Sequence, residues 1–102
     1  MNALETIQKQ IAEHEIILFM KGNAQMPMCG FSARVVNILK SCNVPFAVVD
    51  VLQDAEIRQA IKEFSNWPTI PQLYVRGEFI GGSDIVGEMF ESGELQTLLA
   101  AG

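Results

Sequence analysis

Apolar residues recur along this chain in two rhythms, and the changes between them lay out the elements. Leu4, Ile7 and Ile11 share one helix face, and Asn2 followed by Glu5 resembles an N-cap with its capping-box partner. They predict a helix over about Ala3 to Glu13, with His14 as a helix-end or surface residue. Ile16 to Met20 is a continuous apolar run, as expected of a strand covered on both faces. Glycine and proline then interrupt the pattern at Gly22 and Pro27. Helical spacing resumes over about Phe31 to Cys42, directing Val35, Val36, Ile38 and Leu39 toward a core and ending at Asn43 and Pro45. A second strand, Phe46 to Val49, closes at Asp50. A further helix over Ala55 to Phe64 places Ile57, Ala60, Ile61 and Phe64 on one face.

Asn66 to Pro71 is a shaped loop, because its two prolines remove amide donors and restrict the residues before them. Gln72 to Val75, a turn at Arg76-Gly77, and Glu78 to Ile80 read as a hairpin. Gly81-Gly82 lead into a helix over Ile85 to Phe90 that Ser83 or Asp84 can cap, and a last helix runs over about Glu94 to Leu99. The order of elements predicts an α/β fold: a four-stranded mixed sheet flanked by helices on both faces. Strands joined through a helix are expected parallel, and the final hairpin antiparallel.

Length and composition narrow the functions available. A chain of 102 residues, 49% hydrophobic, holds a single domain spanning 1–102. Its net charge of -5 and seven dispersed Lys and Arg argue against a nucleic-acid surface. The longest apolar run is far short of a membrane span, and Met1 to Glu15 lacks an apolar signal core. The expectation is a soluble, cytoplasmic protein.

Two cysteines are present, Cys29 and Cys42. If both lie on one helix they are roughly 20 Å apart, beyond the reach of a disulfide or of a metal site built from both. Cys42 reads as packing. Cys29 sits where strand gives way to helix, so the free amides and dipole of a helix N-terminus favour its thiolate. That dipole supplies only about 0.3 to 1 kcal/mol at an exposed end, so help is needed, and Lys21 at the strand end supplies a second positive charge if the loop folds back. The residues by themselves also allow Cys29 to be a small buried hydrophobe. Arg58 can equally be a solvated charge or a ligand contact, and the amides of the Gly81-Gly82 turn form a candidate anion nest.

Cys29-Gly30-Phe31-Ser32 after Phe19-Met20-Lys21-Gly22, then Trp67-Pro68-Thr69-Ile70-Pro71-Gln72, then Gly81-Gly82-Ser83-Asp84, stand in one order at set spacings. Together they resemble the monothiol glutaredoxins of the CGFS type, from the first helix to the last. The resemblance implies a thioredoxin-like fold and a glutathione site. By analogy Cys29 is the active thiol, and Lys21 and Arg58 pair with the glycine carboxylate of glutathione. The main chain of Ile70 pairs with the glutathione cysteine, with Pro71 in a cis bond, and Ser83 and Asp84 hold the γ-glutamyl end. Many relatives carry cysteine where Ser83 stands, a change that main-chain contacts would survive.

A [2Fe-2S] cluster usually takes four thiolates, and this chain places only Cys29 at the site. The family arrangement implies a labile cluster between two protomers, each giving one cysteine, here the metal ligand Cys29, and one glutathione. BolA-like proteins and apo iron-sulfur proteins are the implied partners, the latter as acceptors of the cluster. The alternative is a glutathione-dependent thiol-disulfide oxidoreductase. Ser32 stands where a second cysteine would make a dithiol, so that enzyme would work by a monothiol route.

Overall fold

The computed structural model describes residues 1–101. Its helices are α1 (Ala3–Glu13), α2 (Gly30–Ser41), α3 (Ala55–Ser65), α4 (Ser83–Ser92) and α5 (Glu94–Ala100), and its strands are β1 (Ile16–Met20), β2 (Ala47–Asp50), β3 (Gln72–Val75) and β4 (Glu78–Gly81). Caps set several of these boundaries. The Asn2 side chain accepts from the Glu5 amide at 2.9 Å, and Asp54 accepts from Glu56 and Ile57 at the start of α3. A 3-10 turn over Val51–Gln53, which periodicity did not foretell, is capped by Asp50.

The strands lie in the order β2-β1-β3-β4. β1 pairs with β2 in parallel and with β3 antiparallel, and β3 and β4 form the antiparallel hairpin. Alternation along β1 divides the core in two. Ile16, Leu18 and Met20 pack with α2, α4 and α5, while Ile17 and Phe19 pack with α1, α3 and Tyr74. Helices thus cover both faces, and β1 is buried throughout. Among the described residues no helix is long and apolar enough to cross a membrane.

Two sequence expectations are corrected. The helical connection from β2 to β3 predicted parallel strands, yet β3 runs opposite to both β1 and β2. After α3, Asn66 turns in the left-handed region, and the two-proline loop delivers the chain to the end of the sheet where β1 finishes, so that Gln72 lies opposite Phe19. The parallel rule holds only when the chain returns to the end at which the preceding strand began. The second correction concerns α4, which begins at Ser83 with Gly82 as N-cap and no side-chain cap. Neither Ser83 nor Asp84 spends its side chain on the helix.

Candidate functional site

The loop between β1 and α2 is tied to itself. The Met28 amide donates to the Lys21 carbonyl at 2.9 Å, and the Asn23 carboxamide accepts from the Gln25 and Met26 amides at 3.0 and 2.8 Å. Gly22 makes this closure possible: at φ +84 it occupies the left-handed region, and a Cβ there would collide with the Met26 carbonyl and the Met28 amide. Its own amide donates to the Asp50 carboxylate at 3.0 Å. The loop therefore ends in a fixed place, with Cys29 as the N-cap of α2.

There the thiol meets the donors the helix leaves free. The Cys29 pKa is held below the ordinary thiol value of 9.0, first by the Ser32 amide, against a burial penalty, then by the Phe31 amide, the Lys21 charge and the Ser32 hydroxyl. Ser32 is fully buried, and its hydroxyl also accepts from the Lys21 amide at 3.2 Å. The serine in place of a second cysteine thus ties the strand end to the helix start, a role the sequence reading did not assign. Met26, Met28 and Phe31, each more than 60% exposed, form an apolar rim close to Cys29 in sequence.

Cys29 opens on a cleft of about 480 Å³. One wall is the segment Trp67 to Pro71, with a cis Ile70-Pro71 bond, and another is the start of α4 at Gly82, Ser83, Asp84 and Ile85. These walls approach so closely that a Cβ at Gly82 would lie 3.2 Å from the Pro71 carbonyl oxygen. Lys21, Ile70, Ser83 and Asp84 all line this cleft with the thiol. Arg58 is not among the lining residues; the cation that α3 contributes is Lys62, four residues on and so on the same helix face. Sequence reasoning missed Lys62, although its spacing from Arg58 was a usable signal.

The cleft also holds unspent polar groups. Ser83 Oγ and Trp67 Nε1 are buried without a protein hydrogen-bond partner, so both remain able to bond a ligand polar group. Asp84 is open to solvent, with Arg34 Nη1 at 4.0 Å. Free amides at the α4 N-terminus, two lysines and an exposed carboxylate make a surface that can take a peptide-like ligand carrying both charges.

Comparison with known proteins bears on the family and the fold. The glutaredoxin family profile matches residues 16–80. Glutaredoxin 4 of Pasteurella multocida is 55% identical over 100 residues, covering 98% of this chain and 92% of that protein. A ycf64-like uncharacterized monothiol glutaredoxin of Synechocystis is 57% identical over 93 residues, covering 91% of this chain and 87% of the relative. The solution structure of reduced apo GrxS14 from poplar matches with a TM-score of 0.84 at 50% identity, over 95% of this chain and 89% of that one. A buckwheat glutaredoxin-glutathione complex matches with a TM-score of 0.86 at 24% identity, over 97% and 88%, a likeness that bears on fold alone. The chain has the thioredoxin-like fold and belongs to the glutaredoxin family, in its monothiol, CGFS-type branch.

Proposed function

We propose that this glutaredoxin binds glutathione in the cleft and, as a dimer, carries a labile [2Fe-2S] cluster as cargo to apo iron-sulfur proteins, with a BolA-like protein as a further partner. The observation that carries this reading is a single acidified thiol at the mouth of a cleft with room for a tripeptide. Glutathione presents two carboxylates, one ammonium and an extended backbone. Its glycine carboxylate suits Lys21 and Lys62, with Arg58 one turn away on α3. Its cysteine backbone suits the main chain of Ile70, which precedes the first paired residue of β3. Its γ-glutamyl carboxylate suits the α4 amides and the unspent Ser83 hydroxyl, and its ammonium suits Asp84.

A thiolate is the appropriate donor for an iron-sulfur cluster. Cys42 closes the far end of α2, so one chain brings one thiolate, and the remaining three come from two glutathiones and a second protomer. The apolar rim at Met26, Met28 and Phe31 supports contact with that protomer. Anaerobic reconstitution with iron, sulfide and glutathione tests the reading. A coloured dimer that needs both Cys29 and glutathione, and that passes its cluster to an apo acceptor, is the expected result. A colourless monomer overturns it.

The lowered Cys29 pKa also favours a second reading, deglutathionylation. The Cys29 thiolate attacks the glutathione sulfur of a protein mixed disulfide, releasing the protein thiolate and forming a Cys29-glutathione disulfide. A second glutathione thiolate then attacks the glutathionyl sulfur, giving oxidised glutathione and restoring Cys29. Brisk turnover by the colourless monomer selects this reading.

A further inference from the structure

Gln72 opens β3 with no exposed surface, an unusual place for a carboxamide, since a buried amide is costly unless it is hydrogen-bonded. Its bonds lead to the cleft. Nε2 donates to the Trp67 carbonyl and to the Thr69 carbonyl, each at 3.2 Å, and Oε1 accepts from the Tyr74 hydroxyl at 3.1 Å. Two carbonyls can be met only by donors, so the amide orientation is dictated by its neighbours.

Tyr74 is two residues along the same strand and therefore on the same face. Its ring is boxed by Phe19, Phe64 and Phe79, with centroids 5.6, 6.1 and 5.3 Å away. Burial pushes its pKa up to about 12, so the hydroxyl stays protonated at any physiological pH. The aromatic box thus fixes a hydroxyl, which fixes a carboxamide, which holds two carbonyls of the Trp67 to Pro71 wall. At its other end the same wall is held by the Trp67 amide, which donates to the Lys62 carbonyl and to Ser65 Oγ, both at 3.1 Å.

We propose that Gln72 is a positioning residue for ligand binding: by clasping the carbonyls of Trp67 and Thr69 it holds the main chain of Ile70 in the conformation that glutathione pairs with. The inference rests on the glutathione site proposed above. With the clasp broken, the wall loses its order in the free protein, and that order must be restored on binding, which weakens affinity. A Gln72 that only fills the core would lower stability and leave affinity alone.

Calorimetric titration with glutathione, run beside thermal unfolding and backbone NMR relaxation, separates these outcomes. Gln72→Met is expected to weaken binding about tenfold, equivalent to about 1.4 kcal/mol, and to lower the NMR order parameters of the Thr69 and Ile70 amides. Tyr74→Phe removes the outer bond together with the hydroxyl's interaction with Ser65, keeps the ring packing, and is expected to weaken binding about two- to threefold in the same direction; it also serves should Gln72→Met fold poorly. Leu99→Ala, which thins the core on the opposite sheet face, is the stability control and should leave binding unchanged. If the Gln72 and Tyr74 variants bind as tightly as the natural protein, or weaken no more than Leu99→Ala, the positioning role is overturned. If the natural protein itself does not bind glutathione, the proposed ligand is wrong, and unaltered Thr69 and Ile70 order parameters in Gln72→Met would remove the clasp as well.

Discussion

The two ends of α2 carry the same side chain in opposite settings. Cys29 caps the N-terminus and Cys42 the C-terminus, and both thiols are free. At the first end the Ser32 and Phe31 amides point at the sulfur with Lys21 nearby, and the pKa falls; at the second, burial against the core pushes the pKa up. A helix exposes donors at its beginning and acceptors at its end. The comparison teaches that the reactivity of a thiol here is a property of its address, because the residue, the helix and the solvent are common to both.

Removing each sulfur in turn is the strongest way to break the comparison. Cys29→Ser should abolish both cluster reconstitution and deglutathionylation, whereas Cys42→Ser should retain both, as absorption spectra and turnover assays would show. Next in size is a contrast in alkylation. The thiolate is the reacting form, so a lowered pKa moves the rate-pH curve to the acid side of 9.0 and a raised one to the alkaline side. Mass spectrometry of iodoacetamide-treated protein at pH 8 should find Cys29 modified well before Cys42; simultaneous labelling would refute the contrast.

Smaller changes sharpen it. Lys21→Gln should shift the Cys29 alkylation curve toward 9.0 and weaken glutathione binding about two- to fivefold, as expected for a partly exposed charge. Added salt should reproduce part of that loss in the natural protein. Ser32→Ala should move the curve least, since the hydroxyl is the weakest of the influences on Cys29. It should also lower stability by about 0.5–1.5 kcal/mol, because the Lys21 amide loses its acceptor; denaturant titration would measure this.

Much of the scaffold is legible in the sequence. The run Ile16 to Met20 is a strand buried on both faces, Asn2 caps the first helix, and the hairpin turns at Arg76-Gly77. These features depend on residues within a few positions of one another, where propensity, capping and periodicity act directly. Cys29 at a helix start was legible for the same reason. Gln72, by contrast, looked like an ordinary first residue of a strand, because the partners that define it belong to a loop and a ring whose positions come from packing.

By itself the sequence determined which segments are helix and strand, that one thiol stands at a helix N-terminus with its counterpart a full helix away, and which family's motifs the chain carries. The tertiary structure decided what meets that thiol. It reversed β3, brought Ile70 and Ser83 into the same cleft, and placed Lys62 of α3, rather than Arg58, on the cleft wall. The reason is physical: a helical repeat states which face of α3 is apolar, but the point along that face which overlooks the cleft depends on how α3 crosses the sheet. That crossing is set by contacts distant in sequence, which local periodicity does not encode.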